Sequence, residues 1–267
     1  MTDKKTINDS LPGRIAVRHV LFDNVTMDQA RDVVAAALER REHTGFTVFT
    51  PNAEIAQICE EDAEVAKLIA CADLVIPDGA GVVLASRILG TPLKQKVAGY
   101  DLGLKMCEYA ANHGKTVYFF GAKPAREGQK AVAETAAEKL CEKYPGLCVA
   151  GWRDGFFKPE ETREIIKEIN AASPDILFVC LGAPRQEKWI CENIKKINTG
   201  AILALGGSLD GYAGLVKRAP RLFIKCNAEW LYRLIKQPSR IGRMMKLPKY
   251  IFGAVVYKIK RNHRKVR

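Results

Sequence analysis

Residues 47–83 run TVFTPNAEIAQICEEDAEVAKLIACADLVIPDGAGVV. Two short runs in it, 47–50 and 74–76, have the β-branched and aromatic composition of strands. Each stops at proline beside a small polar residue, in Thr50-Pro51-Asn52 and in Pro77-Asp78-Gly79. Proline brings no N–H to a ladder, while Asn, Asp and Gly supply helix caps and tight turns. Between the runs, 53–70 sets Ile55, Ile58, Val65, Leu68 and Ile69 at helical spacing. A strand, a crossover and a second strand in one parallel sheet bring both polar tips to the same carboxyl edge, where open α/β sheets bind ligands. Asp78 then faces Thr50 and Asn52 across a crevice, a place where a carboxylate takes a proton from a substrate hydroxyl. Taken singly, Asn52 and Asp78 are each better explained as caps of the helices that follow.

The same alternation extends in both directions. Upstream, 15–20 alternates like a strand, and 28–41 has a helical stripe of Ala30, Val33, Val34 and Leu38. The acidic run 60–64 is expected to be a solvated helix start. Downstream, 79–89 and 102–112 are helical, joined by the basic loop 93–101 with Lys94 and Lys96. Strands are predicted at 116–120, 147–150, 176–181 and 201–205, separated by helices near 124–144, 159–172 and 186–196. This spacing implies a Rossmann-like α/β fold, a parallel sheet covered by helices on both faces.

Three strands end in glycine: Gly121-Ala-Lys-Pro, Gly182-Ala-Pro-Arg-Gln-Glu and Gly206-Gly207-Ser-Leu-Asp-Gly. Glycine lets backbone approach a ligand, and a following helix N-terminus offers N–H groups to phosphate. Each turn alone is weak, but three on one edge favour a nucleotide-diphosphate cradle. Gly79-Ala80-Gly81 gives half of a dinucleotide fingerprint, with Leu84 where the third glycine belongs, so an NAD-dependent oxidoreductase is the weaker alternative.

Charge separates the last fifth of the chain from the rest. Residues 214–267 carry 16 Lys and Arg against one acid, Glu229, a formal +15, whereas the remainder is −3. Apolar Leu222, Phe223, Trp230, Leu231, Leu234 and Ile235 travel with Arg233, Lys236, Arg240, Arg243 and Lys246, the composition of a helix at a membrane surface rather than a nucleic-acid module. The division expected is a core over 1–213, with a crevice between 1–113 and 114–213, and a basic membrane-associating appendage over 214–267. The eight cysteines form no CxxC pair. Together with the absence of an apolar leader or any run near about 20 apolar residues, this predicts a reduced, cytoplasmic protein peripheral to the inner face of the membrane.

Seven ordered blocks, TPNAEI, ADLVIPDGAGVVLASRILG, KVAGYDL, FFGAKP, LGAPRQEKWI, GGSLDGYAG and KRAPRLF…EWLYRLIKQPSR, resemble the WecG/TagA/CpsF glycosyltransferase family along nearly the whole length. The resemblance is nearest to its teichoic-acid branch. It implies inverting transfer of N-acetylmannosamine from a UDP donor to undecaprenyl-diphosphate-linked N-acetylglucosamine, with another UDP-sugar donor as the alternative. It makes Asp78 the general base, with Thr50 and Asn52 lining the sugar site and Gln186 contacting substrate. Asp210 and the glycine turns join the substrate-binding set, and Arg233, Arg240 and Arg243 meet the lipid diphosphate. Lys96 stands where relatives often have Arg, keeping the charge without the planar fork. Leu209 stands where they often have Phe. No D-x-D occurs and none of the four His has a second ligand at metal spacing. Metal-independent transfer without a cofactor is therefore expected, with helix N-termini after Gly121, Gly182 and Gly207, Lys96 and the appendage arginines in place of a cation. A homo-oligomer is compatible with the sequence.

Overall fold

The computed structural model describes residues 13–40, 45–216, 219–220, 223, 229–236 and 241–265. Its centre is a six-stranded sheet in the order β4-β3-β8-β7-β5-β6, every pairing parallel. The strands are β3 (Phe46–Phe49), β4 (Leu74–Val75), β5 (Thr116–Gly121), β6 (Cys148–Arg153), β7 (Ile176–Cys180) and β8 (Ala201–Ala204). The central strands are buried on both faces, as a covered parallel sheet demands. The α/β expectation holds, and one sheet runs through both portions of the core.

Two matching clamps set the register at the amino ends. Asp73 Oδ2 accepts from both the backbone N–H and the hydroxyl of Thr47, each at 2.9 Å. Asp175 Oδ2 does the same for Thr116, at 2.8 and 3.0 Å. Fixing the strand starts in this way fixes which loops share the opposite edge.

Helices cover the sheet in two layers. Met27–Glu39, Gly99–His113, Val132–Lys143 and Ser208–Tyr212 pack on one face; Ala53–Glu61, Ala63–Ala70, Ala80–Leu89, Thr162–Ala172 and Arg185–Asn193 pack on the other. After β3 the chain turns to the second face, after β8 to the first, after β7 to the second and after β5 to the first. Neighbouring strands whose loops part to opposite faces leave a crevice between them, the usual ligand position in such sheets.

Local chemistry revises two expectations and narrows a third. The strand predicted at 15–20 is a hairpin, β1 (Arg14–Val17) and β2 (Val20–Asp23), because Arg18 turns into the left-handed region at φ 57. Its guanidinium then reaches Glu60 at 2.9 Å and stacks over the Tyr250 ring. The hairpin also covers the outer edge of the sheet, where buried Asp23 accepts from Val75 N at 2.7 Å and pairs with Arg14. The crossover 53–70 is two helices, not one. Asp62 is extended (φ −137, ψ 107), ends the first helix and caps the second through Oδ1 to Glu64 N and Val65 N. The run 60–64 does hold a solvated helix start, with residues 61–64 exposed, and only Glu60, its side chain 8% exposed, is drawn into the ion pair with Arg18.

The C-terminal helix Lys246–Lys265 docks on the second face across Ala53–Glu61 and Ala80–Leu89. Tyr250 and Ala254 are completely buried, and the Tyr250 hydroxyl donates to Val17 O at 3.3 Å. Leu247 fills the space beside Gly81, where an added Cβ would lie 2.3 Å from Leu247 Cδ1 and 2.8 Å from Ala53 Cβ. Space that a dinucleotide turn would leave for pyrophosphate is thus occupied by protein. Lys249 donates to Glu61 at 2.6 Å, and this bond with that of Gln57 holds the Glu61 carboxyl down at about 2.

Candidate active site

The carboxyl ends of β4, β3, β8 and β7 meet along one edge. Parallel pairing of Phe49 with Val75, extended by the bond from Ile76 N to Phe49 O at 3.0 Å, sets the 50–52 and 76–78 segments side by side. A second bond, from Val97 N to Pro77 O at 3.0 Å, holds the basic loop against the Asp78 turn. A Cβ built on Gly79 would lie 3.7 Å from Asn52 Cβ, so the two polar tips are in van der Waals reach. Asp78 is half-buried at this edge.

Thr50 is 7% exposed and its hydroxyl donates to Ala204 O at 2.9 Å, joining the end of β3 to that of β8. The hydroxyl proton is committed to the scaffold, leaving the oxygen lone pairs for a ligand. Gly99 opens the helix that packs on it. A Cβ there would lie 3.0 Å from both Thr50 Oγ1 and Cγ2, so glycine at 99 sets the position of Thr50. Asn52 caps Ala53–Glu61 through Oδ1 to Ile55 N at 3.1 Å. The capping role stands, and it uses Oδ1 and not the Nδ2 amide.

Gln186 is 2% exposed and links two strand ends. Its Oε1 accepts from Gly206 N at 3.0 Å and its Nε2 donates to Glu187 Oε1 at 2.9 Å. Glu187 is 1% exposed, and its Oε2 has no hydrogen-bond partner among the described residues. Burial pushes its carboxyl pKa up from the ordinary 4.5, against a smaller downward pull from the Gln186 bond. The sign follows from linkage. Above about pH 4.5 the unfolded chain ionises before the folded one, so this carboxyl costs stability that is absent in acid and accumulates as pH rises to the folded value. Glu187→Gln is expected to raise Tm relative to the parent, with a gain at about pH 8 that exceeds the gain at about pH 4. A Tm difference independent of pH would show that Glu187 ionises normally in the fold.

The glycine turns differ from one another. Gly182 (φ 80) and Gly206 (φ 55) face open space, with nothing within 4 Å of an added Cβ, and Gly207 has only Asp210 Oδ2 at 3.7 Å. Gly121 (φ 138) faces the sheet instead: a Cβ there would lie 2.3 Å from Cys180 O. Nor does a helix N-terminus follow it directly. Residues 122–131 form a loop closed by Val132 N to Lys123 O at 3.1 Å, and the helix starts only at Val132. Of the three turns, only Gly182 is followed within three residues by a helix of more than two turns, Arg185–Asn193. Ser208–Tyr212 is a single short turn, in which Leu209 is fully buried and belongs to the core. Asp210 anchors the start of the appendage, its carbonyl accepting from Leu215 N at 3.0 Å and Val216 N at 3.2 Å.

Lys96 pairs with Glu229 on helix Glu229–Lys236 at 3.0 Å, so the appendage reaches the mouth of the site. Arg233 and Arg243 lie on Glu229–Lys236 and Ile241–Met244, with side chains outside the described residues, as is all of Arg240. Sequence reasoning passed over Glu229, Glu187 and Gly99. Of these only Glu229 carried a signal, as the one acid in a cationic segment. It also passed over Phe156, an aromatic 67% exposed beside the end of β5, where Gly155 N donates to Ala122 O at 2.9 Å. Among the described residues no group of three His, Cys, Asp or Glu side chains is placed to hold a metal ion.

The chain is similar to bacterial proteins named N-acetylglucosaminyldiphosphoundecaprenol N-acetyl-beta-D-mannosaminyltransferase. It is 37% identical to that of Bacillus spizizenii over 210 residues, 79% of each chain, and 37% identical to that of Bacillus subtilis strain 168 over 207 residues, 77% of each. With the Staphylococcus aureus strain MW2 protein, identity is 31% over 254 residues, 95% of each chain. The family described as "Glycosyl transferase WecG/TagA/CpsF family" matches residues 15–264, from the β1–β2 hairpin that covers the sheet edge to the last turns of the docked C-terminal helix, and to that family the chain belongs.

Proposed function

We propose that the protein moves N-acetylmannosamine from a UDP donor to undecaprenyl-diphosphate-linked N-acetylglucosamine, with inversion at the anomeric carbon, in the assembly of wall teichoic acid or a related surface polymer. The relatives' names supply the acceptor and the sugar. The observation that carries the chemistry is the juxtaposition of Asp78 with Thr50 and Asn52 at the parallel sheet's carboxyl edge.

In this reading the acceptor hydroxyl attacks the anomeric carbon from the side opposite UDP. Asp78 accepts the hydroxyl proton as the new C–O bond forms, and the C–O bond to the diphosphate breaks with its electron pair leaving on UDP. Thr50 and Asn52 position the sugar. From β4 to β7 is three strand spacings, about 14 Å, which suits a sugar at the Asp78 end and a nucleotide diphosphate toward Gly206 and Gly182. Lys96, the N-terminus of Arg185–Asn193 and the arginines of the appendage offset the charge that develops on the leaving group.

The acceptor's lipid tail places this chemistry at the cytoplasmic membrane surface. Phe252, Val255 and Ile259 are exposed and recur at i, i+3 and i+7, and Phe252 and Ile259 face away from buried Tyr250. Lys258 and Lys260 flank them, and exposed Ile241 and Met245 precede them. No helix among the described residues is long and apolar enough to cross a membrane. A helix docked by one face and apolar on the other suits the surface of an anionic leaflet.

The deciding experiment measures UDP release by the full chain with a soluble lipid-diphosphate-N-acetylglucosamine analogue. UDP-N-acetylmannosamine is screened against its uronic acid and against UDP-hexoses. Turnover confined to the first donor, and retained in EDTA, is expected. Preference for another donor moves the donor assignment, and strict dependence on an added divalent ion removes the metal-independent mechanism.

A further inference from the structure

We infer that Glu229 stands in for the donor's diphosphate: its carboxylate holds Lys96, and an arriving UDP group displaces it. The inference rests on the UDP-donor reading above and extends it to the appendage. Glu229 is the one acid among 16 bases in residues 214–267, yet its partner is Lys96 in the core, 133 residues away. The pair is 3.0 Å apart, with side chains 20% and 27% exposed. Lys96 adjoins Val97, which is bonded to the carbonyl next to Asp78, so the pair sits at the mouth of the candidate site.

A carboxylate oxygen and a phosphate oxygen make the same charge-assisted bond to an ammonium group. One half-buried ammonium does not serve two anions at full strength, because its field is shared while each anion loses water. A diphosphate carries more charge than a carboxylate and takes the larger share. Donor binding then releases the first turn of Glu229–Lys236, one turn before Arg233.

The test is UDP binding to the full chain in detergent at low salt, by titration calorimetry, for the parent, Glu229→Gln, Lys96→Gln and the double variant. Glu229→Gln is expected to bind UDP about 5-fold more tightly, or better, since a competitor has been removed. In the Lys96→Gln background the same substitution should change affinity by less than about twofold, because the shared cation is gone. Glu229→Asp, which keeps a carboxylate, should fall nearer to the parent than Glu229→Gln does. Unchanged or weaker UDP binding in Glu229→Gln overturns the inference, as does an equal gain in both backgrounds. If the parent itself does not bind UDP, the donor reading fails and takes this one with it; parent binding with no Glu229 effect overturns the exchange alone.

Discussion

Asp78→Asn is expected to bind UDP as the parent does and to lose about 10²- to 10⁴-fold in turnover, the usual cost of removing a general base. The substitution is isosteric, and the turn that carries residue 78 is held by backbone bonds, Ile76 N to Phe49 O and Val97 N to Pro77 O, that the side chain does not make. The loss should fall on kcat, since proton acceptance is needed only as the acceptor attacks. The measurements are UDP affinity and single-turnover transfer to the lipid-linked acceptor analogue. Near-parent turnover would move the base to Asp101 or Asp210, which also lie at this edge on the first turns of Gly99–His113 and Ser208–Tyr212.

Gly121→Ala is expected to be the most destabilising of the glycine substitutions along the edge. The added Cβ would lie 2.3 Å from Cys180 O, 2.5 Å from Cys180 C and 2.8 Å from Cys180 Cα, all backbone of the neighbouring strand, at a φ of 138. No rotamer relieves a clash with backbone, so β5 and β7 must part or the turn must change conformation. A cost of about 4 kcal/mol is reasonable for this combination of strain and overpacking. For a chain of this size that lowers Tm by about 10 °C. Gly182→Ala is the control. Its φ of 80 also strains an alanine, but its Cβ meets open space, so a cost of about 1 to 2 kcal/mol is expected. Thermal unfolding of the two variants side by side checks the contrast. Equal losses would show that conformation, not the Cys180 contact, governs both.

That contrast marks a limit of local sequence signals. The three glycine turns look alike along the chain, and each invites the same phosphate-cradle explanation. In the fold Gly182 and Gly206 face open space, whereas Gly121 is glycine because a neighbouring strand passes too close for any side chain. The N-terminus expected after Gly121 is likewise displaced by the 122–131 loop. No nearest-neighbour pattern distinguishes a glycine needed by a ligand from one needed by a strand 59 or more residues away in the chain.

The parallel sheet, its covering helices and the gathering of segments 50–52 and 76–78 on one edge were determined by the sequence alone. Apolar periodicity and the Pro, Asn and Gly that end each strand are local, and parallel pairing necessarily gathers the strand ends on one edge. Tertiary structure decided the rest: the hairpin turn at Arg18, the burial of Tyr250, the linking of Gln186 to Gly206 and the ion pair of Lys96 with Glu229. These depend on groups 20 to 233 residues apart. Their energies come from which surfaces the folded chain brings together, and a linear pattern of residues does not encode that proximity.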